Sequence, residues 1–174
     1  SIPSIIIFPQ SPKNSYWAKI KGIPNPKYPT QKESFSDSLP ENSQLLIVES
    51  LLSNIENTYK IDPNKRYMAG LSMGGMGTFE LVARNPNYFA AGIAICGGAN
   101  PNWAKFFKKT PLWIFHGLKD NVVPPELSIN IYNSIKTYNS ESKLTLYDNV
   151  GHNSWDPAFE EVEIMNWLFS FKKK

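Results

Sequence analysis

Short apolar runs alternate with amphipathic stretches along most of this sequence, and no other feature limits its possible folds so strongly. The runs are rich in apolar and β-branched residues, which is typical of strands, whereas the stretches repeat apolar residues at three- and four-residue spacing, which is typical of helices. Such alternation predicts βαβ units and an α/β fold: a mostly parallel sheet with helices on both faces. The predicted strands are residues 5–8, 66–69, 91–96, 112–115 and 143–147, and the predicted helices are residues 41–59, 78–84, 126–138 and 159–171, with a short helix or loop at 103–108.

The first predicted strand, Ile5-Ile6-Ile7-Phe8, stops at Pro9. A continuous β-branched run of this kind favours a strand that is buried on both faces of a parallel sheet. Residues 10–37 follow with several prolines and no apolar period. Because loops of this length in compact domains are usually functional, we expect this one to line or cover a site.

Length and composition indicate one folded domain over residues 1–174. The chain is 41% hydrophobic and 19% charged, which is typical of a packed globular protein. Its net charge is +3, but apart from Lys108-Lys109 and the last three lysines the basic residues are scattered. No basic stripe or RNA-reading motif accompanies them, so we expect no nucleic-acid partner.

The chain contains no apolar run long enough to cross a bilayer and no signal-like start, so no membrane partner is expected. It begins at Ser1 without a methionine, so we expect a processed or excised piece from which address signals could have been lost. Its one cysteine, Cys96, reads as the buried end of a strand and leaves the compartment undetermined.

The segment Gly70-Leu71-Ser72-Met73-Gly74 joins a predicted strand to a predicted helix. Gly-x-Ser-x-Gly in that setting is the nucleophile-elbow pattern, in which the serine sits on a sharp, strained turn. Gly70 and Gly74 are expected to avoid collisions that a Cβ would make there, and Gly75 and Gly77 to keep the helix close to the sheet. By itself the motif is also compatible with a glycine-rich turn that binds a phosphate or nothing.

A nucleophilic serine needs a base, and the chain has two histidines. His152 follows the last predicted strand and is favoured, whereas His116 ends the preceding strand and is more typical of a structural residue. The acid is expected after the next-to-last strand, where Asp120 lies. Asp148 is the rival carboxylate but fits a turn at a strand end, and Asp156 fits a helix start.

Four segments together resemble the esterases of the α/β-hydrolase superfamily, both the carboxylesterase/phospholipase-like enzymes and the relatives of prolyl oligopeptidase catalytic domains. The resemblance covers nearly the whole chain and implies Ser72, Asp120 and His152 as a catalytic triad. The segments are Pro9-Gln10-Ser11-Pro12, Arg66 to Gly75 around the serine, His116-Gly117-Leu118-Lys119-Asp120-Asn121-Val122-Val123-Pro124, and Gly151-His152-Asn153-Ser154-Trp155.

One part of the family pattern is missing from the sequence. Such esterases have several strands before the one that resembles residues 5–8, and an earlier His-Gly loop that donates a backbone N–H to the oxyanion. The chain therefore resembles the fold from about its fourth strand to the C-terminus, without the first strands. A missing N-terminal segment or a partner chain is one expectation for completing the sheet; an abbreviated sheet is the other.

The implied function is cleavage of carboxylic esters through an acyl-enzyme, with small-molecule or carbohydrate-linked acyl groups as substrates. The alternatives are a serine peptidase of the prolyl oligopeptidase type and a hydrolase-fold module without turnover. The backbone N–H of Met73 is the expected oxyanion donor, and Gln10, Trp17 and Trp155 are the expected substrate-binding residues. No metal cluster, dinucleotide fingerprint or Walker motif occurs, so the sequence implies no cofactor. The resemblance is compatible with a secreted or periplasmic protein.

Overall fold

The computed structural model describes residues 3–13, 15–18, 35–41 and 44–173. Within these residues the sheet has four strands, all parallel to their neighbours and in the same order in space as in the chain. The two central strands are buried along their whole length, because helices cover both of their faces. The strands are β1 (Tyr67–Leu71), β2 (Ala91–Ile95), β3 (Leu112–Gly117) and β4 (Lys143–Tyr147).

In the part of the chain that the structure describes, one 3₁₀ helix, Pro101–Phe107, and five α-helices accompany the sheet. The α-helices are α1 (Leu45–Thr58), α2 (Met73–Arg84), α3 (Pro125–Ile135), α4 (Trp155–Glu160) and α5 (Ile164–Ser170). One apolar core lies between one sheet face and residues of α1, α2, the 3₁₀ helix and α3, with Phe79 and Phe107 fully buried in it. A second core lies on the opposite face, where Ile164 and Leu168 of α5 pack against Trp113 and Phe115. The predicted α/β fold with helices on both faces is confirmed.

The predicted single helix over residues 159–171 is wrong. The structure has two helices there, and the break falls at Glu161, whose ψ of 113° places its backbone in the extended region. The Glu161 carboxylate accepts a hydrogen bond of 2.9 Å from the hydroxyl of Tyr147 at the end of β4. This contact between distant parts of the chain holds the break at a place where the local sequence contains neither proline nor glycine.

The predicted strand at residues 5–8 is also wrong in the described structure. These residues form no strand, and Ile6 and Phe8 are 70% and 87% exposed. A β-branched run becomes a strand only where a neighbouring strand takes up its backbone hydrogen bonds, and no described strand does so here. Among the described residues β1 pairs with β2 alone, so its other edge carries no partner. Most of the expected loop at 10–37 lies outside the described residues.

The helices of the described residues are too short or too polar to cross a lipid bilayer.

Candidate active site

Ser72 is the single residue between the end of β1 and the start of α2. Its φ of 54° and ψ of −117° are strained for a residue with a Cβ. Two backbone hydrogen bonds hold it: Ser72 N–H donates to the carbonyl of Ile95 at 2.9 Å, and Ser72 O accepts from Met76 N–H at 3.0 Å. The chain thus turns sharply at Ser72, with the next strand and the first turn of the helix fixing the turn.

The glycines around Ser72 differ in what a Cβ would contact at each position. A Cβ on Gly70 would lie 2.1 Å from the carbonyl oxygen of Gly74, and one on Gly75 would lie 2.6 Å from the carbonyl oxygen of Ile95. A Cβ on Gly74 would have no atom within 4 Å, so the predicted collision there is wrong: this position of the first helical turn faces open space. Gly77 makes room for Trp17, at 2.9 Å, and not for the sheet as expected.

His152 lies in the loop between β4 and α4 and touches Ser72. Its Nε2 is 2.9 Å from Ser72 Oγ, and its Nδ1 is 2.8 Å from Asp120 Oδ2. Because an ionised carboxylate only accepts hydrogen bonds, Nδ1 carries the proton and Nε2 is free to accept the one on Ser72. The ring of Trp155 meets the His152 ring edge to face at a centroid distance of 5.6 Å and supports its orientation.

Asp120 follows β3, and its carboxylate is fully buried. Burial alone would raise its pKa, but hydrogen bonds from His116, His152 and the backbone N–H groups of Val123 and Val122 outweigh burial and hold the pKa well below its usual range. Oδ1 accepts both backbone hydrogen bonds, from Val122 at 2.8 Å and from Val123 at 2.9 Å. The group beside His152 is therefore an ionised, immobilised carboxylate.

The rival carboxylates do not reach the histidine in this way. Asp148 is an exposed residue of the turn after β4. Asp156 lies in the first turn of α4, where it accepts a hydrogen bond of 3.1 Å from the side chain of Asn153. Both positions agree with the structural interpretation of these residues.

The sequence did not indicate that both histidines would lie on one carboxylate. His116, the next-to-last residue of β3, is fully buried, and its Nε2 is 3.1 Å from the same Asp120 oxygen that contacts His152. The one signal for this contact was the four-residue spacing of His116 and Asp120 across the turn that ends the strand.

Cys96 lies directly behind this group, fully buried at the end of β2. Burial raises the pKa of its thiol to about 11. Ligand atoms of Cys96, Asp120 and His152 lie within 4.8 Å of one another. Both Asp120 oxygens and His152 Nδ1 already take part in protein hydrogen bonds, and the thiol is protonated at neutral pH. The donor set therefore fits a proton network better than a cation.

The expected substrate-binding residues lie in unlike environments. Gln10 is exposed and donates to the backbone carbonyl of Ser11 at 3.2 Å. Trp17 is half-buried against the first core, and Trp155 is half-buried between His152 and the second core. Met73 begins α2, so its N–H belongs to the first turn of that helix, directly beside Ser72.

A cavity of about 270 Å³ lies near the carboxyl ends of the strands. Leu127, one of its lining residues, belongs to one buried apolar cluster with Met76 and Val123, which lie four residues after Ser72 and three residues after Asp120 in the chain. An aromatic ring, a carboxylate and two carboxamides are among the groups that line it. The lining residues are Phe35, Asp37, Ala99, Asn100, Pro101, Leu127 and Asn130.

A parallel sheet that places serine, aspartate and histidine on the loops after its first, third and fourth strands, with the serine on a strained strand-to-helix turn, defines an α/β-hydrolase. The sequence matches the phospholipase/carboxylesterase family over residues 4–165 and belongs to that family.

Solved structures agree with this assignment. The chain superposes on a thermostable esterase with a TM-score of 0.80 and 32% identity over 94% of its own length, which is 43% of that esterase. It superposes on SOBER1 of Arabidopsis thaliana with a TM-score of 0.64 and 22% identity, covering 87% of this chain and 72% of SOBER1. The second likeness shows the fold alone.

A curated relative is the bifunctional acetylxylan esterase/xylanase XynS20E of Neocallimastix patriciarum. It is 34% identical over 77 residues, which are 44% of this chain and 11% of that enzyme. The chain thus spans less than half the length of the thermostable esterase and a ninth of the bifunctional enzyme.

Proposed function

We propose that this chain carries the catalytic residues of a serine esterase, with Ser72 as nucleophile, His152 as general base and acid, and Asp120 as the residue that orients His152. The observation that carries the proposal is the continuous hydrogen-bonded path Ser72 Oγ–His152 Nε2 and His152 Nδ1–Asp120 Oδ2, at 2.9 and 2.8 Å, built on a strained turn. Such strain persists only where the surrounding structure fixes it, and it clusters at reactive groups.

In the first half of the reaction, Ser72 Oγ attacks the ester carbonyl carbon while His152 Nε2 takes the hydroxyl proton. The tetrahedral intermediate collapses, the bond to the alcohol oxygen breaks, and His152 returns the proton to the departing alcohol. In the second half, water gives a proton to His152 and attacks the acyl-enzyme. The carboxylic acid is released, and Ser72 regains its proton.

The negative charge on the carbonyl oxygen needs N–H donors, and we propose the backbone N–H of Met73 as one of them. It follows Ser72 at the start of α2, where unpaired N–H groups and the helix dipole favour an anion. Loss of one such donor typically costs about 10²–10³ in turnover. A second N–H donor to the oxyanion therefore decides whether a protein with this triad hydrolyses esters at an appreciable rate.

We further propose that a segment or partner chain outside these residues completes the sheet and supplies that second donor. Two observations favour it: β1 has β2 as its one described neighbour, and the chain spans 43% of the thermostable esterase. The resulting second candidate is a module that reacts with acylating probes and turns over slowly by itself. The structural likeness to acylaminoacyl peptidases, at 18% identity, concerns the fold and gives no support to a peptidase.

Carbohydrate-linked acetyl groups are the proposed substrate class. The similarity to an acetylxylan esterase/xylanase supports it, as does the cavity with Asp37, Asn100 and Asn130 in its lining, because carboxylates and carboxamides bind sugar hydroxyls. Asn130→Ala tests the proposed substrate class, because Asn130 lines the cavity, is exposed and lies on α3. We expect a higher KM on acetylated xylo-oligosaccharides and an unchanged KM on p-nitrophenyl acetate.

A covalent probe and one small ester test the central proposal. We expect a fluorophosphonate to label Ser72 with loss of fluoride, and p-nitrophenyl acetate hydrolysis to fall at least about 10³-fold in Ser72→Ala. Ser50→Ala is the matched control, because Ser50 is an exposed serine of α1. Turnover that persists in Ser72→Ala would contradict the triad, whereas labelling of Ser72 without turnover would support the incomplete module.

A further inference from the structure

The Asp120 carboxylate is held by two histidines, and the mechanism above uses one of them. His116 Nε2 lies 3.1 Å from Asp120 Oδ2 and 2.9 Å from the carbonyl oxygen of Val123. His116 and the Asp120 side chain are both fully buried. His116 therefore does more than fill space, because its ring makes polar contacts. It nevertheless lies outside the hydrogen-bonded path from Ser72 through His152 to Asp120.

The hydrogen bonds fix the proton on His116 Nε2. The carbonyl oxygen of Val123 can only accept, so Nε2 is the donor and shares its proton between that carbonyl and Asp120 Oδ2. On the other side of the ring, Nδ1 is 2.7 Å from Ser128 Oγ, which in turn is 3.0 Å from the carbonyl oxygen of Gly97. Nε2 donates to the carboxylate whichever way the Ser128 hydroxyl points.

Asp120 thereby receives four hydrogen bonds, two on each oxygen. Oδ1 is fixed by the N–H groups of Val122 and Val123, and Oδ2 by His116 and His152. Without His116, Oδ2 would keep one donor, and a buried carboxylate with an unfilled acceptor position reorients to find another. The orientation of Oδ2 toward His152 therefore depends on His116.

We propose that His116, held by Ser128, is a positioning residue that keeps the Asp120 carboxylate in the orientation that serves His152. This inference rests on the proposed function, since it concerns the acid of that triad. The titratable groups that face the carboxylate from the described elements are His116, His152 and Cys96. A carboxylate that turns away from His152 stabilises the protonated imidazole less.

His116→Leu and His116→Gln form the decisive pair of variants. Leucine removes the donor, whereas the glutamine carboxamide can place an N–H near the position of Nε2. We expect His116→Leu to lower kcat on p-nitrophenyl acetate by about 10–100-fold, with KM within about twofold, and to move the acidic limb of the kcat/KM profile to lower pH, because the reoriented carboxylate stabilises the protonated His152 ring less. His116→Gln is expected to restore part of kcat and return the limb toward its original position.

Two further variants separate positioning from packing. Ser128→Ala leaves His116 in place but removes its support, and we expect a smaller loss of kcat with the limb displaced in the same direction. Thr110→Val is the control: Thr110 is fully buried and donates to Phe89 O at 3.0 Å, just before β3 and thus at the opposite end of that strand from His116. It removes a buried hydrogen bond and is expected to lower the melting temperature without moving kcat or the limb.

The proposal is overturned if His116→Leu keeps kcat within about twofold, or if His116→Leu and His116→Gln lose activity equally with the limb unmoved. If His116→Leu does not fold, kcat and the position of the acidic limb are measured in Ser128→Ala and His116→Gln instead, and the same two results would overturn the proposal. If the wild type lacks Ser72-dependent turnover, the proposed function fails, but the positioning role of His116 can still be tested. The readout is then the downfield ¹H resonance of the His152 Nδ1–H. It should shift in Ser128→Ala and not in Thr110→Val; an unmoved resonance in both overturns the proposal.

Discussion

The backbone N–H of Ser72 and the carbonyl oxygen of Ile95 are joined by a hydrogen bond of 2.9 Å, where Ile95 is the last paired residue of β2 and Ser72 directly follows the last paired residue of β1. The same carbonyl lies 2.6 Å from the position that a Cβ of Gly75 would occupy. One backbone atom of the neighbouring strand thus fixes both the position of Ser72 and the closeness of the helix behind it. The reactivity of Ser72 should accordingly be sensitive to changes that push this helix away.

Gly70→Ala and Gly74→Ala should have opposite outcomes, although both glycines belong to the motif. A Cβ at Gly70 meets backbone at 2.1 Å, so we expect a loss of about 1–3 kcal/mol in unfolding free energy and slower labelling of Ser72. A Cβ at Gly74 meets open space on a helical turn, so we expect unchanged or higher stability, by up to about 1 kcal/mol. Urea unfolding with fluorophosphonate labelling measures both, and equal losses in the two variants would contradict the geometry.

Asp120 should make the protein sensitive to acid. Its pKa in the fold lies below that of the unfolded chain, so the unfolded state binds the proton more readily. The stabilisation is fully present above about pH 4 and is lost as the pH falls toward the folded-state pKa. We expect Asp120→Asn to be less stable at pH 7 and to lose less stability between pH 4 and pH 2. Parallel curves of unfolding free energy against pH for the two proteins would refute this.

Tyr88 should give the opposite dependence at high pH. Burial, and then its hydrogen bond to Glu56, raise the pKa of its hydroxyl to about 12, whereas an unfolded tyrosine titrates near about pH 10. Its stabilisation is therefore present below about pH 10 and is lost as the pH rises toward 12.

Tyr88→Phe should flatten the fall in stability between about pH 10 and pH 12, relative to wild type. At pH 8 it should cost about 1 kcal/mol, the typical worth of one hydrogen bond. Tyr138→Phe is the control, because Tyr138 is 52% exposed. An alkaline transition that Tyr88→Phe leaves unchanged would speak against this role for Tyr88.

Cys96 should be inert in the folded protein in spite of its place behind the active site. The thiolate is the reactive form, the pKa of the thiol is raised to about 11, and the side chain is fully buried. We expect iodoacetamide at pH 8 to label Cys96 only after unfolding in urea, with native turnover unaffected. Rapid modification of the native protein, measured by mass spectrometry, would show that the end of β2 opens readily.

The sequence predicted those parts of the fold that rest on local signals. Residues 143–147 form β4 as expected, and the other paired strands differ from the prediction at their ends. The prediction failed where a contact between distant residues decides. Residues 5–8 have strand-forming side chains but no neighbouring strand in the described structure, and the Tyr147–Glu161 hydrogen bond marks a helix break that no local residue signals.

In the candidate site, too, the prediction succeeded where chain order and local motifs suffice and failed where contacts between side chains decide. Chain order placed Ser72, Asp120 and His152 on the loops after three strands, and the structure brings them within hydrogen-bond distance. The second histidine could not be placed in this way, because its four-residue spacing from Asp120 does not by itself report that the two side chains meet. Gly74 belongs to the motif by position, but the freedom of its surroundings depends on the path of α2.

The hydrogen bond between Ser72 and His152 joins residues 80 positions apart in the chain. The loops after β1, β3 and β4 must all be in place before the hydrogen bonds from Ser72 to Asp120 can form. If Ser72 reacts as proposed, its titration with a stoichiometric phosphonate counts the molecules whose sheet is fully assembled. Far-UV circular dichroism would also report chains with helices but an unfinished sheet. A denaturation curve followed by both signals would coincide for a two-state chain and separate where one strand detaches early.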